Sequence, residues 1–208
     1  MLGPRTILVL RFSSIGDIIH TTSVIGTLKK YFPQSKIDFM TLSKFAPLLE
    51  GHPFINKVHA VDINAGYSQL RQTGFEMEMM EYDLAIDLHN TTRSQVIRWG
   101  LITTNHVHIK KPRWNRFKLF ALHQNDFPNN FTVRTWLHEP IQHLLPENFT
   151  IGQSRLFVSE AEKSGINKLL SRDGLNGKYF VVTPGAAWAQ KRWKAERYAR
   201  VIDQCASK

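Results

Sequence analysis

The sequence predicts an α/β fold, a Rossmann-like parallel sheet with helices on both faces. Three observations lead there. Residues 6–12, TILVLRF, form a continuous apolar run of the kind a strand shows when both its faces are buried. Residues 16–31 then place Ile18, Ile19, Thr22, Ile25, Leu28 and Tyr31 at helical spacing, end in basic residues and meet Pro33 as a stop. The same strand-then-helix order repeats up to residue 110, and strands that alternate with helices pair in parallel.

The remaining elements follow in order. Residues 36–41 (KIDFMT) read as the second strand and 45–51 as a short helix. Residues 57–62 (KVHAVD) are a third strand, followed by a helix over about 66–80. Residues 82–89 (YDLAIDLH) are a fourth strand, 92–102 a helix and 106–110 (HVHIK) a fifth strand. Between 112 and 155, Pro and Asn breaks leave room for a helical segment or two and then a linker near 146–154. Residues 159–175 predict a helix with Ser159 and Glu162 as a capping box. Residues 178–186 predict a strand running into a turn, and 194–206 a helix. Two domains are expected: residues 1–150, and residues 151–208 as a linker plus the first β-α unit of an incomplete second domain.

The 208 residues are 42% hydrophobic, which suits a globular core. The single cysteine, Cys205, excludes an intramolecular disulfide framework and fits a reducing compartment. The first apolar run meets Arg11 too soon for a secretory signal, and no stretch approaches the roughly 20 apolar residues of a membrane-spanning helix. A cytoplasmic protein is expected, with room for surface association.

A net charge of +10 points to an acidic partner: nucleic acid, anionic lipid or phosphorylated sugar. The charge is unevenly spread. From Arg93 to Arg134 there are eight cations, at 93, 98, 110, 111, 113, 116, 118 and 134, against one acid, Asp126. That stretch reads either as a solvated basic face or as an anion site. It carries no recognised nucleic-acid-binding motif, so nucleic acid is not an expected partner.

The turn after the first strand reads RFSSIGD, which is neither a dinucleotide fingerprint nor a phosphate-binding P-loop. A dehydrogenase and a P-loop enzyme are therefore not expected, nor is a cysteine nucleophile. The HVH triplet places His106 and His108 on one strand face without a third ligand nearby, so no metal site is expected. The stretch SSIGDIIHTT carries more chemistry. Gly16 permits a tight turn against a ligand, and Ser13 and Ser14 offer hydroxyls and N–H groups. Asp17 falls in the first helical turn, where the dipole keeps a carboxylate ionised. It reads equally as a cap or as a weak, always available base for a hydroxyl that loses its proton late. His20, one turn on, is either a neighbour in the site or a partly buried helix residue. The second candidate is TPGAAWAQKRW, residues 183–193, where a loop with Lys191 and Arg192 leads into a helix. It reads as a diphosphate site, or as a surface loop with Trp188 and Trp193 packed at a domain seam.

Three stretches together resemble glycosyltransferase family 9, the heptosyltransferases: ILVLRFSSIGDIIHTTSVIGTLKKYFP, YDLAIDLHNTTRSQVI and VVTPGAAWAQKRWKAERYARVI. The resemblance implies two Rossmann-like domains facing across a cleft, the GT-B architecture. It implies transfer of a heptose from ADP-heptose to the lipopolysaccharide inner core, with inversion and with neither a metal nor another cofactor. The N-terminal domain would take the acceptor and the C-terminal domain the donor. The family's S-x-G-D aspartate, its general base, matches Asp17, and its K-[RH]-W lysine, a donor-phosphate ligand, matches Lys191. Thr183 and Arg192 are the further phosphate candidates. Ser13, Ser14, Gly16, His20, Arg93, Lys111, Arg113 and Arg116 are the acceptor candidates, the basic ones assigned as a cluster. Peripheral contact with the cytoplasmic face of the inner membrane follows from such an acceptor.

The family's later D-[TS]-G-x-x-H stretch has no counterpart in this sequence, so a truncated donor domain without an adenosine pocket is expected, and no turnover from the 208 residues alone. The other reading that the residues permit is an inactive module binding anionic glycolipid.

Overall fold

Five runs rich in apolar and β-branched residues become five strands: β1 (Thr6–Leu10), β2 (Lys36–Leu42), β3 (Lys57–Val61), β4 (Leu84–Asp87) and β5 (Asn105–His108). All neighbours pair in parallel, in the order β3-β2-β1-β4-β5. The chain builds outward from β1 to β3, then returns to place β4 on the other side of β1. The sheet therefore has its topological switch point between β1 and β4, where the following loops part and leave a crevice at the strands' carboxyl ends. This computed structural model describes residues 3–102, 104–175, 177–186 and 188–206, in two units, Met1–Ser159 and Glu160–Lys208. The sheet lies wholly in the first.

Residues 7 to 10 of β1 are fully buried, as a central strand requires. Ile7 and Val9 face Ile18, Val24, Ile25 and Leu28 of α1 (Ile15–Tyr31) and Trp136 and Leu137 of α5 (Val133–His138). Leu8 and Leu10 face the other way, onto Leu70 and Met77 of α2 (Tyr67–Glu78) and Val96 and Ile97 of α3 (Thr92–Arg98). Two glycines set the spacing of α2 and α3. A Cβ on Gly74 would lie 2.2 Å from the Ile97 carbonyl oxygen, and one on Gly100 would lie 2.6 Å from the Gly74 backbone. Only bare backbone fits there.

Behind α1 the packing is polar. Thr22, Ser23 and Thr27 are buried, and the segment 150–155 runs along them. The Thr150 N–H donates to the Tyr31 hydroxyl at 2.9 Å, that of Gly152 to Thr27 Oγ1 at 2.8 Å, and that of Arg155 to Thr22 Oγ1 at 2.9 Å. His138 joins from α5, with Nε2 at 2.8 Å from Thr27 Oγ1 and Nδ1 at 2.7 Å from the Arg134 carbonyl oxygen. Burial holds its pKa down. The Thr27 hydroxyl also reaches the Ser23 carbonyl oxygen at 2.9 Å, so one oxygen links the α1 backbone, His138 and Gly152.

The stretch from 112 onward forms α4 (Arg113–Ala121), α5 and a 3₁₀ turn at Glu139–Leu144. In the second unit, α6 (Glu160–Arg172) and α7 (Ala195–Ala206) fall where helices are predicted. Three predicted elements differ. The short helix expected at 45–51 is a 3₁₀ turn, Ser43–Leu48, containing Pro47. The fourth strand stops at Asp87, because that side chain takes over the following backbone N–H groups. Residues 178–186 form no strand. A strand exists through its ladder partner, and the described residues of Glu160–Lys208 include no second strand to supply one. Among the described residues, no helix is long and apolar enough to cross a membrane.

Candidate active site

The site begins with the residue that ends the first apolar run. Arg11 leaves β1 at its carboxyl end and is nearly buried, yet all of its reach is satisfied. Its Nε donates to the Ser13 carbonyl at 2.9 Å, its Nη1 donates to the Leu88 carbonyl, and its Nη2 meets Asp17 Oδ2 at 2.7 Å. One guanidinium thus joins the loop after β1, the end of β4 and the first turn of α1. The Ser13–Ser14 peptide bond in this loop is cis.

Asp17 caps the start of α1 and stays open to solvent on one side. It is the third helical residue of α1, and its Oδ2 accepts from the Ser14 N–H and the Ser14 hydroxyl, each at 3.1 Å. That is a capping interaction. The side chain is also 37% exposed, so Ser14 and Arg11 leave the carboxylate open to solvent on one side. Partial burial works to raise its pKa. The Ser14 N–H and the Arg11 charge outweigh that and hold it below the ordinary aspartate value. It is ionised throughout the physiological range, an acceptor ready for a hydroxyl proton.

Across the switch point, Asp87 ends β4 with no exposed surface. Its Oδ1 accepts from the N–H groups of His89 (2.9 Å) and Asn90 (2.7 Å), and its Oδ2 lies 3.1 Å from Arg98 Nε. Asn90 sits at φ 44°, donates to the Ile109 carbonyl at 2.7 Å and so ties the β4 and β5 ends together. His89 rests on the Phe12 ring, with centroids 5.2 Å apart, and its buried Nδ1 has no hydrogen-bond partner among the described residues. Burial, and the charges of Arg11 and Lys111, push its pKa from 6.5 down to about 4.

The sign of that shift predicts a pH dependence. Between about pH 6.5 and pH 4 the unfolded chain binds a proton that folded His89 refuses, so the unfolded state gains as pH falls through this window. Urea unfolding at about pH 7 and pH 4.5 is expected to show lower stability at the acid end, and His89→Gln is expected to flatten the difference. An unchanged slope in that variant would place the acid sensitivity elsewhere.

Lys111, just beyond β5, completes the cationic side. Partial burial and the neighbouring charges of Arg11 and Arg113, with a smaller contribution from Arg116, press its pKa down, while Asp87 opposes them. Cations that depress one another make a place where an anion is welcome. The structure therefore brings Ser14, Asp17, Arg11, His89 and Lys111 to one end of the sheet, with Arg113 and Arg116 within electrostatic reach of Lys111. Ser13 contributes its carbonyl. His20 and Arg93 each keep one buried nitrogen, Nδ1 and Nη1, without a partner among the described residues. Gly16 departs from expectation: it lies inside α1 rather than in a tight turn, and a Cβ there would meet nothing within 4 Å. Arg11, Asp87, His89 and Asn90 were not among the predicted site residues. Their signal was position, at or just past the carboxyl ends of β1 and β4.

In the second unit, Lys191 closes a 3₁₀ turn, Ala189–Lys191, and Arg192 Nε donates to the Ala186 carbonyl at 2.8 Å. Thr183, Lys191 and Arg192 are all exposed. No group of three or more His, Cys, Asp or Glu that could hold a metal ion occurs among the described residues.

Residues 71–208 match the family described as glycosyltransferase family 9 (heptosyltransferase). The chain belongs to glycosyltransferase family 9. It is 34% identical over 210 residues to lipooligosaccharide heptosyltransferase 2 of Haemophilus ducreyi, covering 95% of this chain and 59% of that protein. It is 32% identical over 224 residues to lipopolysaccharide heptosyltransferase 2 of Salmonella typhimurium, with the same coverage. The fold is that of a family 9 glycosyltransferase from Veillonella parvula (TM-score 0.76, 20% identity, 96% of this chain and 59% of that one). It is also that of ADP-heptose lipopolysaccharide heptosyltransferase II of E. coli (TM-score 0.67, 23% identity, 97% and 61%). The family 9 chain thus spans somewhat over half the length of the curated relatives it matches.

Proposed function

We propose that this chain is the acceptor side and the beginning of the donor side of an inverting heptosyltransferase that uses ADP-heptose and builds the lipopolysaccharide core. The observation that carries this is Asp17: an ionised, half-exposed carboxylate beside a buried arginine, at the switch point of the sheet, in a family 9 chain. In this reading Asp17 accepts the proton of an acceptor hydroxyl as that oxygen attacks the anomeric carbon from the face opposite the nucleotide. Arg11 positions the carboxylate. A depressed pKa makes it a poor base for a free alcohol, which suits an attack in which the glycosidic bond is already breaking and the hydroxyl proton has become acidic.

Lys111 and Arg113, with Arg93 and Arg116 as further candidates, offer positive charge to the phosphates and acid sugars of the acceptor. Lys191, Arg192 and Thr183 are assigned to the donor diphosphate, where cations and a loop N–H offset the negative charge that develops on departure. Ser13, Ser14, Gly16 and His20 border the acceptor hydroxyl. Location in the cytoplasm, where nucleotide sugars are made, goes with this reading.

The test is a transfer assay with an enzyme that continues residues 1–208 to the length of its relatives. With ADP-heptose and a core acceptor lacking its heptose, one sugar is expected to be added with inverted anomeric configuration. Retention of configuration, or a stronger reaction with a different nucleotide sugar, would overturn the mechanism or the donor.

A further inference from the structure

His89 is held from three sides. The Leu88–His89 peptide group is bound at both ends, its carbonyl accepting from Arg11 Nη1 and its N–H donating to Asp87 Oδ1 at 2.9 Å. Arg11 and Asp87 are themselves buried. The ring leans on buried Phe12, with centroids 5.2 Å apart and planes at 54°. A group fixed in this way can meet a ligand at one distance and one angle. The ring is half-buried. Of its two nitrogens, Nδ1 is sealed from solvent without a partner among the described residues, while Nε2 is not sealed. An interior tolerates a bare lone pair more readily than an N–H with no acceptor. The single proton of the neutral ring therefore belongs on Nε2, at the open edge.

Four charges act on this ring, Arg11 and Lys111 against a second proton and Asp87 and Asp17 in favour of it. Burial and the two cations prevail, and with a pKa of about 4 the ring is neutral at physiological pH. That neutrality matters to Asp17. An imidazolium within reach of the carboxylate would add to the Arg11 charge and make it a still weaker base. A neutral ring offers a donor and leaves the base as it is. Asp17 only accepts hydrogen bonds, and Nε2–H only donates one. The two together are complementary to a pair of neighbouring sugar hydroxyls, one that gives up its proton and one that accepts. We propose that His89 selects the acceptor sugar, its Nε2–H donating to the oxygen next to the hydroxyl that Asp17 deprotonates. The inference deepens the proposed function and rests on its assignment of Asp17 as the base.

The first test is nitrogen–proton correlation spectroscopy of the 208-residue protein with isotope-labelled histidine, the His89 signal being the one lost in His89→Gln. A neutral ring protonated at Nε2 is expected from about pH 7.5 down to about pH 5. Addition of the deacylated core acceptor lacking its heptose is expected to shift that signal. A proton on Nδ1, an imidazolium near neutrality, or a signal indifferent to the acceptor overturns the proposal. The second test is kinetic and uses the lengthened enzyme. His89→Leu is expected to lower kcat/KM for the acceptor about tenfold while KM for ADP-heptose stays unchanged. His89→Gln, whose amide can donate in place of Nε2–H, is expected to restore part of that loss. An acceptor without the neighbouring hydroxyl should cost the parent about tenfold and the leucine variant nothing further. A deoxy acceptor that slows both enzymes alike, or a leucine variant impaired only toward the donor, overturns the role. The spectra are taken on the unsubstituted protein, so they decide the matter even where His89→Leu does not fold. A His89 signal that answers to the acceptor, in a protein whose lengthened form transfers nothing from ADP-heptose, supports the recognition role and overturns the proposed function.

Discussion

Asp17→Asn is expected to slow sugar transfer by about 10²–10⁴-fold, the range in which a positioned general base contributes. The assay must use an enzyme lengthened beyond residue 208. Asparagine keeps the size of the side chain and an oxygen that can accept from Ser14, so the start of α1 survives. It removes the charge that pairs with Arg11 at 2.7 Å and the ability to take up a proton. The stability cost of losing this partly exposed pair is expected to stay within about 1 kcal/mol. A large loss of rate with near-unchanged unfolding identifies the base. A rate within a few-fold of the parent would reduce Asp17 to a helix cap. Arg11→Met supplies the companion measurement: it frees the carboxylate and leaves the Leu88 and Ser13 carbonyls unserved. A lower kcat with a pH profile shifted toward the ordinary aspartate range is the mark of positioning.

Asp87→Ala is expected to produce the largest loss of stability, about 3–5 kcal/mol. The carboxylate is fully buried, and its removal strands three groups at once. Arg98, whose Nε lies 3.1 Å from Asp87 Oδ2, loses its counter-charge, and the N–H groups of His89 and Asn90 lose their acceptor. For a chain of this size each kcal/mol moves the melting temperature by about 2–4 °C, so a fall of roughly 10 °C is the expected reading. Asp87→Asn retains an acceptor for the two N–H groups and loses only the charge, so it should fall between the parent and the alanine variant. If both variants melt together with the parent, Asp87 does not hold the β4 end in place.

The sheet was legible in the sequence because its signal is local. Residues 7 to 10 are apolar on both faces, and a strand with that pattern has few alternatives. The position of Asp17 in the first turn past β1 was legible for the same reason. Arg11 was harder to see. A charge after an apolar run reads as the end of burial, whereas here the cation stays inside because three partners come to it from Ser13, Leu88 and Asp17. His89 and Asn90 were hidden by Leu88, an apolar residue that prolonged the apparent strand past Asp87. The aromatics of α4 posed the reverse problem. Trp114, Phe117 and Phe120 look like core residues in sequence, and only the folded chain shows them facing outward. The expected strand at 178–186 depended on a partner that no local pattern can supply.

The segment that runs behind α1 has a bearing on how the protein is made. Helix α1 emerges early from the ribosome, yet Thr22 and Thr27 meet Arg155 and Gly152 only 133 and 125 residues later. Contacts of that separation form late. Until then the nascent chain carries α1 with its polar seam open to water. Arrival of residue 152 closes it, and there a Cβ would lie 2.6 Å from the Ser23 carbonyl oxygen. A single added methyl at Gly152 would leave the newborn protein unlatched.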